Sequence, residues 1–417
     1  MRFKRGWVLL ILLTAIATIA VAPQIKSQFS PPPWLTPPQK VIPASLFGMH
    51  IHYAQKTWPN VPFHGWRLWD AYSTWGNLEP EPGVWKFELL DRYVALAEKN
   101  NAEILLTLGQ TPGWASARPN DESPYGNSGW PAEPTKIEDW RNYIRTVATR
   151  YKGRIRYYEI WNEPDLKQFY SGSIDKMVEL SREAYTILKK IDPTITVLSP
   201  ATTDSTPELK WQDTFFRQGG GKYADVISQH FYPQTSTPED LMKYISQFKA
   251  LMAKYGLANK PLWNTESGWL KPAMIESDRQ AMAYIARIYL INWASGVQRF
   301  YWYAWDNQAA VSLYLTNIDR KTPTPVTKGY EQIQKWMVGS QMQQCTANFA
   351  RTWICHFSRK GQPFWVVWNQ NRQLAFTVPP NWQVRKIQDL SGKSTPLPSS
   401  RQVTVDFSPV LLSATTP

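Results

Sequence analysis

At 417 residues the chain has room for one large domain and a small one, and its 43% hydrophobic against 19% charged residues exclude a disordered or fibrous protein. The formal net charge is +13, from 46 Lys and Arg against 33 Asp and Glu. These cations are scattered, with no basic run beyond Arg2, Lys4 and Arg5, so no nucleic-acid partner is expected, and the charge fits solubility or a weak pull toward an acidic glycan or envelope surface.

The first six residues are basic and residues 7–22 are almost wholly apolar, the pattern of an export signal. Ala20-Val21-Ala22 offers small residues for cleavage, but Pro23 opposes it, and the apolar run is somewhat short for a full span. Residues 1–22 are therefore expected to be a cleaved signal or an uncleaved membrane anchor. Both place the rest outside the cytoplasm, as a secreted or periplasmic protein or one tethered to the membrane. Residues 23–43, with Pro31-Pro32-Pro33 and Pro37-Pro38, predict an extended linker.

From Ser45 the pattern becomes strand, loop, helix, repeated. Strands are predicted at 46–52, 66–69, 103–108, 154–160, 194–199, 224–230, 261–266 and 297–305. Helices are predicted at 88–100, around Trp140, Ile144 and Val147, at 174–191, from Thr237-Pro238 to Gly256, at 278–295 and at 328–338. Eight strands alternating with helices over residues 44–339 predict a (β/α)8 TIM barrel. An open doubly wound sheet would want a Gly-rich phosphate loop after an early strand, and the sequence has none. After Gly339 the period changes. Short strands at 353–357, 364–368, 374–378 and 402–407 predict a small sandwich-like β-domain over 340–417. Cys345 and Cys355, close in sequence, suit a disulfide in an oxidising compartment.

Two carboxylates stand out. Glu163, in Trp161-Asn162-Glu163-Pro164, follows predicted strand four, which Pro164 must end. Glu266, before Ser267-Gly268, ends strand seven. Strands four and seven face one another across an eight-stranded barrel, so both carboxylates can share one mouth. Cleaving a glycosidic bond needs such a pair, one protonated and one ionised, and two close carboxylates raise one another's hold on a proton. The 22 Trp and 20 Tyr agree, since the apolar faces of sugar rings stack on aromatic rings. No metal site is read from the five His, and no cofactor is expected.

These motifs resemble glycoside hydrolase clan A, the retaining (β/α)8 glycosidases, over residues 45–338. Trp161-Asn162-Glu163-Pro164 is similar to the clan's acid/base motif, and Thr265-Glu266-Ser267-Gly268 to its nucleophile motif. Within the clan the chain resembles the family 39 group of β-xylosidases and bacterial exopolysaccharide endoglycosidases. The carriers are Glu79-Pro80-Glu81-Pro82-Gly83-Val84-Trp85 with Asp91, Pro112-Gly113-Trp114, and Thr324-Pro325 before Tyr330. The resemblance implies that Glu163 is the acid/base and Glu266 the nucleophile. It implies that Asn162 binds the sugar 2-hydroxyl, that Arg67 keeps Glu266 ionised, that Tyr232 positions Glu266, and that His230 lines the site. Trp305 or Trp302 would floor the subsite of the cleaved sugar, Trp114 would stack on a neighbouring sugar, and His50 and His52 would meet hydroxyls. Strand eight, Tyr301-Trp302-Tyr303-Ala304-Trp305, is richer in Trp than is usual for the group.

The expectation is a monomeric, retaining, endo-acting glycosidase on a β-linked extracellular or envelope polysaccharide, β-glucan, cellulose-like or exopolysaccharide. The alternatives are an exo-acting β-xylosidase or β-glucosidase, and a non-catalytic glycan-binding scaffold that has kept the barrel.

Overall fold

The computed structural model describes residues 34–35, 37–203, 206–233, 237–271 and 275–414. The expected signal or anchor at residues 1–22, and most of the linker, lie outside the described residues. Among the described residues no helix is long and apolar enough to cross a membrane.

Eight parallel strands form one sheet: β1 (Phe47–His50), β2 (Gly65–Leu68), β3 (Glu103–Leu108), β4 (Tyr157–Ile160), β5 (Thr196–Leu198), β6 (Ile227–Gln229), β7 (Leu262–Ser267) and β8 (Val297–Trp302). Their order is β5-β4-β3-β2-β1-β8-β7-β6, and a single parallel bridge, Leu198 to Val226, joins the two ends. The result is the predicted barrel. β3 is a nearly continuous apolar run, and β1, β3 and β7 are almost wholly buried on both faces. Inside, Leu105, Leu198, Val226, Trp263 and Tyr301 form a layer. Room for the Tyr301 ring comes from β1, where a Cβ at Gly48 would lie 2.5 Å from it. Arg299 closes this end, stacked 4.5 Å from the rings of Tyr157 and Trp263 and paired with Glu103.

Helices wrap the sheet: α1 (Glu88–Lys99), α2 (Ile137–Arg150), α3 (Ile174–Ile191), α4 (Thr206–Arg217), α5 (Leu241–Lys254), α6 (Asp278–Ala294) and α7 (Val326–Met337). In α1 the stripe Leu90, Tyr93, Val94 and Ala97 is buried, the period the sequence predicts. Thr237 and Asp240 form a capping box on a short turn that leads into α5, and Gly256 ends the turn after it at φ +71°. Helix α4 lies between predicted strands five and six, where no helix is predicted.

Beyond Gly339 lie β9 (Gln341–Ala347), β10 (Thr352–Arg359), β11 (Gln362–Asn369), β12 (Leu374–Thr377), β13 (Lys386–Gln388), β14 (Ser394–Pro396), β15 (Gln402–Val405) and β16 (Val410–Ser413). β9-β10-β11-β16-β13-β14 form an antiparallel sheet, and β12 with β15 a two-stranded one. Alternation divides the larger sheet. Trp365, Val367 and Leu412 face the β12–β15 ribbon, while Trp353, Phe357, Val366 and Trp368 join the core shared with the barrel helices. Cys345 and Cys355 stand opposite one another on β9 and β10 and are bonded.

The end of the proline-rich stretch is part of the fold rather than a free spacer. Trp34–Leu35 pairs antiparallel with Thr346 and Cys345 on β9. Ile42 exchanges backbone hydrogen bonds with Gly339 and Ser340, at 2.9 and 2.7 Å.

Candidate active site

The carboxyl ends of the strands gather a charged cluster around Arg67. Arg67 points inward from β2 and is fully buried. Its Nε donates to Glu159 Oε2 at 2.6 Å, its Nη1 to Glu266 Oε2 at 2.9 Å and its Nη2 to Asn162 Oδ1 at 2.8 Å. One guanidinium thus orients three side chains from β4, β7 and the turn after β4.

Glu266 reaches this cluster through an irregular strand. Trp263 faces the barrel interior, so strict alternation would turn Glu266 outward with Asn264, which hydrogen-bonds Asn292 on α6. The ladder to β8 shifts register between Asn264 and Ser267, and this displacement brings the carboxylate to Arg67. Its second oxygen accepts from Tyr232 OH at 2.8 Å.

Glu163 stands on the turn after β4, its backbone at φ +46° and that of Trp161 at φ +66°. Left-handed geometry at two non-glycine residues is costly and must be held from outside. Glu163 N–H donates to Ala201 O at 2.8 Å, Trp161 N–H to Leu108 O at 3.0 Å, and the Trp161 indole N–H to Phe169 O at 2.8 Å. His230 Nδ1 lies 2.9 Å from Glu163 Oε1. One oxygen of Glu163, one ring nitrogen of His230 and one oxygen of Glu266 lie within 4.8 Å of one another. The predicted pair therefore does share one mouth.

Burial pushes Glu163 up to about 7, with the charges of Asp70 and Glu159 adding and Arg67 opposing. Burial likewise pushes Glu266 up to about 7, with Glu163 adding and Arg67 opposing. Burial also pushes His230 down to about 4, so it is neutral near pH 7. The charge count explains the pair. Arg67 supplies one positive charge to Glu159, Glu266 and nearby Glu163, and a retained proton relieves the excess. Hydrogen bonding decides where that proton sits. Glu266 accepts from Arg67 and Tyr232 and is the better anion. The Glu163 carboxyl meets the neutral imidazole of His230 at Oε1 and is the better acid.

A second group lies beside the pair. Asp70, just past β2, accepts from Tyr303 OH at 2.9 Å and from Tyr125 OH. His52 Nε2 is 3.8 Å from Asp70, and the rings of His50 and His52 meet the Tyr303 ring edge-on at 5.0 and 5.2 Å. His52 is 8% exposed and its Nε2 has no hydrogen-bond partner among the described residues. Asp306 accepts from the backbone N–H of His52 and Tyr53, each at 2.9 Å.

Thus Arg67, Asn162, Glu163, His230, Tyr232 and Glu266 come together, with His52 beside them. His50 is fully buried, Nε2 at 3.0 Å from Thr265 O. Trp302 and Trp305 do not present open faces, whereas Trp114 is half-buried. Trp302 lies on the same side of β8 as Phe300, which packs on Tyr289 of α6, so its ring belongs to the helix layer. Trp305 is 1% exposed and packed in the same cluster. Trp114 spends its indole N–H on Glu79 O at 2.9 Å and sits edge-on to Trp75. Sequence reasoning missed Glu159, Asp70, Tyr125 and Tyr303. Glu159 carries a usable signal: a carboxylate inside the apolar strand Tyr157-Tyr158-Glu159-Ile160 needs a buried cation.

Comparison with known proteins bears on the fold and the family. Residues 131–330 match the family model "Glycosyl hydrolase catalytic core", and residues 71–177 match "Glycosyl hydrolase family 10". A β-xylosidase of Caldicellulosiruptor saccharolyticus is 36% identical over 110 residues, 24% of this chain and 22% of that one. A β-xylosidase of Geobacillus stearothermophilus is 23% identical over 244 residues, 51% of this chain and 46% of that one. The chain spans less than half the length of these curated relatives. Among solved structures, a family 39 glycoside hydrolase from Bacteroides cellulosilyticus WH2 superposes with TM-score 0.70 at 19% identity, over 89% of this chain and 81% of that one. A family 39 β-xylosidase from Caulobacter crescentus gives 0.63 at 15%, over 91% and 97%. At such identities these two likenesses speak for the fold. Together with the family-model matches, they support a glycoside hydrolase of clan A, similar to family 39 in its fold.

Proposed function

We propose that the protein is a retaining glycosidase acting by double displacement. The observation that carries this reading is the closeness of Glu163 and Glu266, with oxygens within 4.8 Å. Carboxyl groups about 5–5.5 Å apart suit direct attack on the anomeric carbon, whereas inverting enzymes leave about 6.5–9.5 Å for a water. Glu266, ionised by Arg67 and Tyr232, is the nucleophile. Glu163 protonates the leaving oxygen and then, as its conjugate base, activates the water that releases the sugar. Arg67 holds the Asn162 carbonyl oxygen, which leaves the amide nitrogen as the donor to a substrate hydroxyl. Asp70, His52 and Tyr303 supply further hydroxyl partners beside the pair.

The substrate we propose is a β-linked extracytoplasmic polysaccharide, cut internally. Tyr53, Tyr72 and Tyr125 are exposed on loops at the mouth, a surface suited to several sugar rings. Exo action on β-xylosides or β-glucosides is the second reading, favoured by the β-xylosidases among the relatives.

Hydrolysis of soluble β-glucans, xylans and mannans by the full chain, beside Glu163→Gln and Glu266→Gln, tests this. Wild type should shorten at least one polymer and release the β-anomer first, as followed by proton NMR. Each variant should lose on the order of 10³-fold or more of that activity, in line with removing a reacting group. Release of the α-anomer first, or unchanged variants, would sink the mechanism. A wild type inert on polymers but active on aryl β-xylosides would favour the exo reading.

A further inference from the structure

The proposed acid, Glu163, is held by a bracket made from Ala201, Thr202 and Thr203, just past β5. Ala201 O accepts the Glu163 N–H at 2.8 Å, and Asn162 bridges to Ala201 in parallel fashion. Thr202 O accepts the His230 N–H at 2.9 Å, and Thr202 Oγ1 donates to Gln229 Oε1 at 2.7 Å. Thr203 O accepts from the Gln229 side-chain amide. The same short segment therefore carries the backbones of Glu163 and of His230, whose side chains meet at 2.9 Å. It lies just beyond the thinnest seam of the barrel, where one bridge joins β5 to the chain entering β6.

The bracket is locked to the acid's own turn by one side chain. Asp165, two residues past Glu163, accepts from Thr203 Oγ1 at 2.9 Å and from Thr203 N–H at 3.3 Å. Nothing in strand pairing requires this contact. Both partners lie on loops, and it spans the gap between the turn after β4 and the segment after β5. Glu163 needs such support because it stands at φ +46°, a conformation an isolated glutamate leaves readily.

We propose that Asp165, through Thr203, is a positioning residue for the proton donor, holding Glu163 at the place where it protonates the leaving oxygen. Asp165 touches no reacting atom. Its loss would leave the nucleophile, Arg67 and the sugar contacts intact while letting the acid drift. Burial, then the charge of Glu163, push Asp165 up to about 7, against the Thr203 hydrogen bonds, so the carboxylate is maintained at a cost its surroundings must offset.

This proposal rests on Glu163 being the acid, and leaving-group dependence separates the two ideas. A dinitrophenolate leaves without a proton, whereas a phenolate needs more help from the acid. The full chain is assayed on the dinitrophenyl and phenyl β-glycosides of whichever of xylose and glucose it cleaves. Asp165→Ala should lose about 30–100-fold in kcat on the phenyl glycoside and less than about 3-fold on the dinitrophenyl one, within the range general acid catalysis supplies. Thr203→Val, which removes the hydroxyl at nearly constant shape, should show the same selectivity more weakly. Asp165→Asn, which keeps an acceptor oxygen, should recover most of the loss. In a crystal structure of Asp165→Ala the Glu163–His230 contact should be broken. Equal losses on both glycosides, or no loss on either, would overturn the positioning role. A Glu163→Gln variant without the same selectivity would instead overturn the assignment of Glu163 as the acid.

Discussion

At the scale of single residues the mouth is a problem of too much negative charge for one arginine. Glu163 answers it by holding a proton to about 7, against an ordinary value of 4.5. Between these limits the folded chain binds more protons than the unfolded chain at this site, so stability falls as pH rises through that window. Glu163→Gln removes the effect. At about pH 8 the variant should be more stable than wild type by about 1–3 kcal/mol, and the gain should vanish below about pH 4. Thermal melts across pH check this, and a variant less stable at both ends would refute it. The two glutamates were legible in the sequence because each is a carboxylate at the end of an apolar strand, beside a residue that stops it. The tryptophans were not. Indole serves a core and a sugar equally well, and only packing separates Trp302, turned to the helices, from a ring that faces the mouth. Asp70 and Tyr303 were hidden for a different reason: their pairing joins residues more than two hundred positions apart.

Among elements, the seam between β7 and β8 decides where the nucleophile stands. The register shift that presents Glu266 is followed at once by Gly268, where a Cβ would lie 2.0 Å from Tyr303 O. Backbone meets backbone there, so no side chain can yield. Gly268→Ala should force the two strand ends apart, costing about 1–3 kcal/mol of stability, as overpacking does. It should also lower kcat, because Glu266 on one strand and Tyr303 on the other move together. Unchanged denaturation and kinetics would show that the close approach is dispensable. Strand and helix order was readable from hydrophobic period, since a barrel repeats one unit and long amphipathic helices announce themselves. Helix α4 escaped because its stretch, Thr206 to Arg217, is polar and aromatic by turns. Strand β9 escaped because Gln341, Gln343 and Gln344 give it little alternation. The register shift in β7 has no sequence signal at all.

The described residues form one compact unit with a shared core rather than a barrel carrying a detachable module. Fully buried Arg287 on α6 pairs with Glu239, and Glu239 also accepts the Trp368 indole N–H from β11 at 2.7 Å. Arg359 on β10 donates to Lys335 O, Trp336 O and Val338 O at the end of α7, and Gln388 on β13 accepts from Gln332 and Trp336. A chain stopped after Gly339 would uncover this apolar face and leave the Arg287–Glu239 pair half in water without Trp368. It should lack a cooperative thermal transition and aggregate on expression. A soluble barrel with a sharp melt would show that the sheet is an accessory.

Trp34 and Leu35 lie along one outer edge of that sheet, while β14, the other edge, ends in Pro396, which has no N–H to offer. A bare edge displays unpaired N–H and C=O groups to any extended peptide, including another copy of itself. Trp34 and Leu35 therefore cover the Cys345–Thr346 part of this edge. A form of the protein clipped after Leu35 would carry an unblocked strand, Gln341–Ala347, and a tendency to stack on its neighbours. Its colloidal behaviour would then depend on whether those two residues are kept.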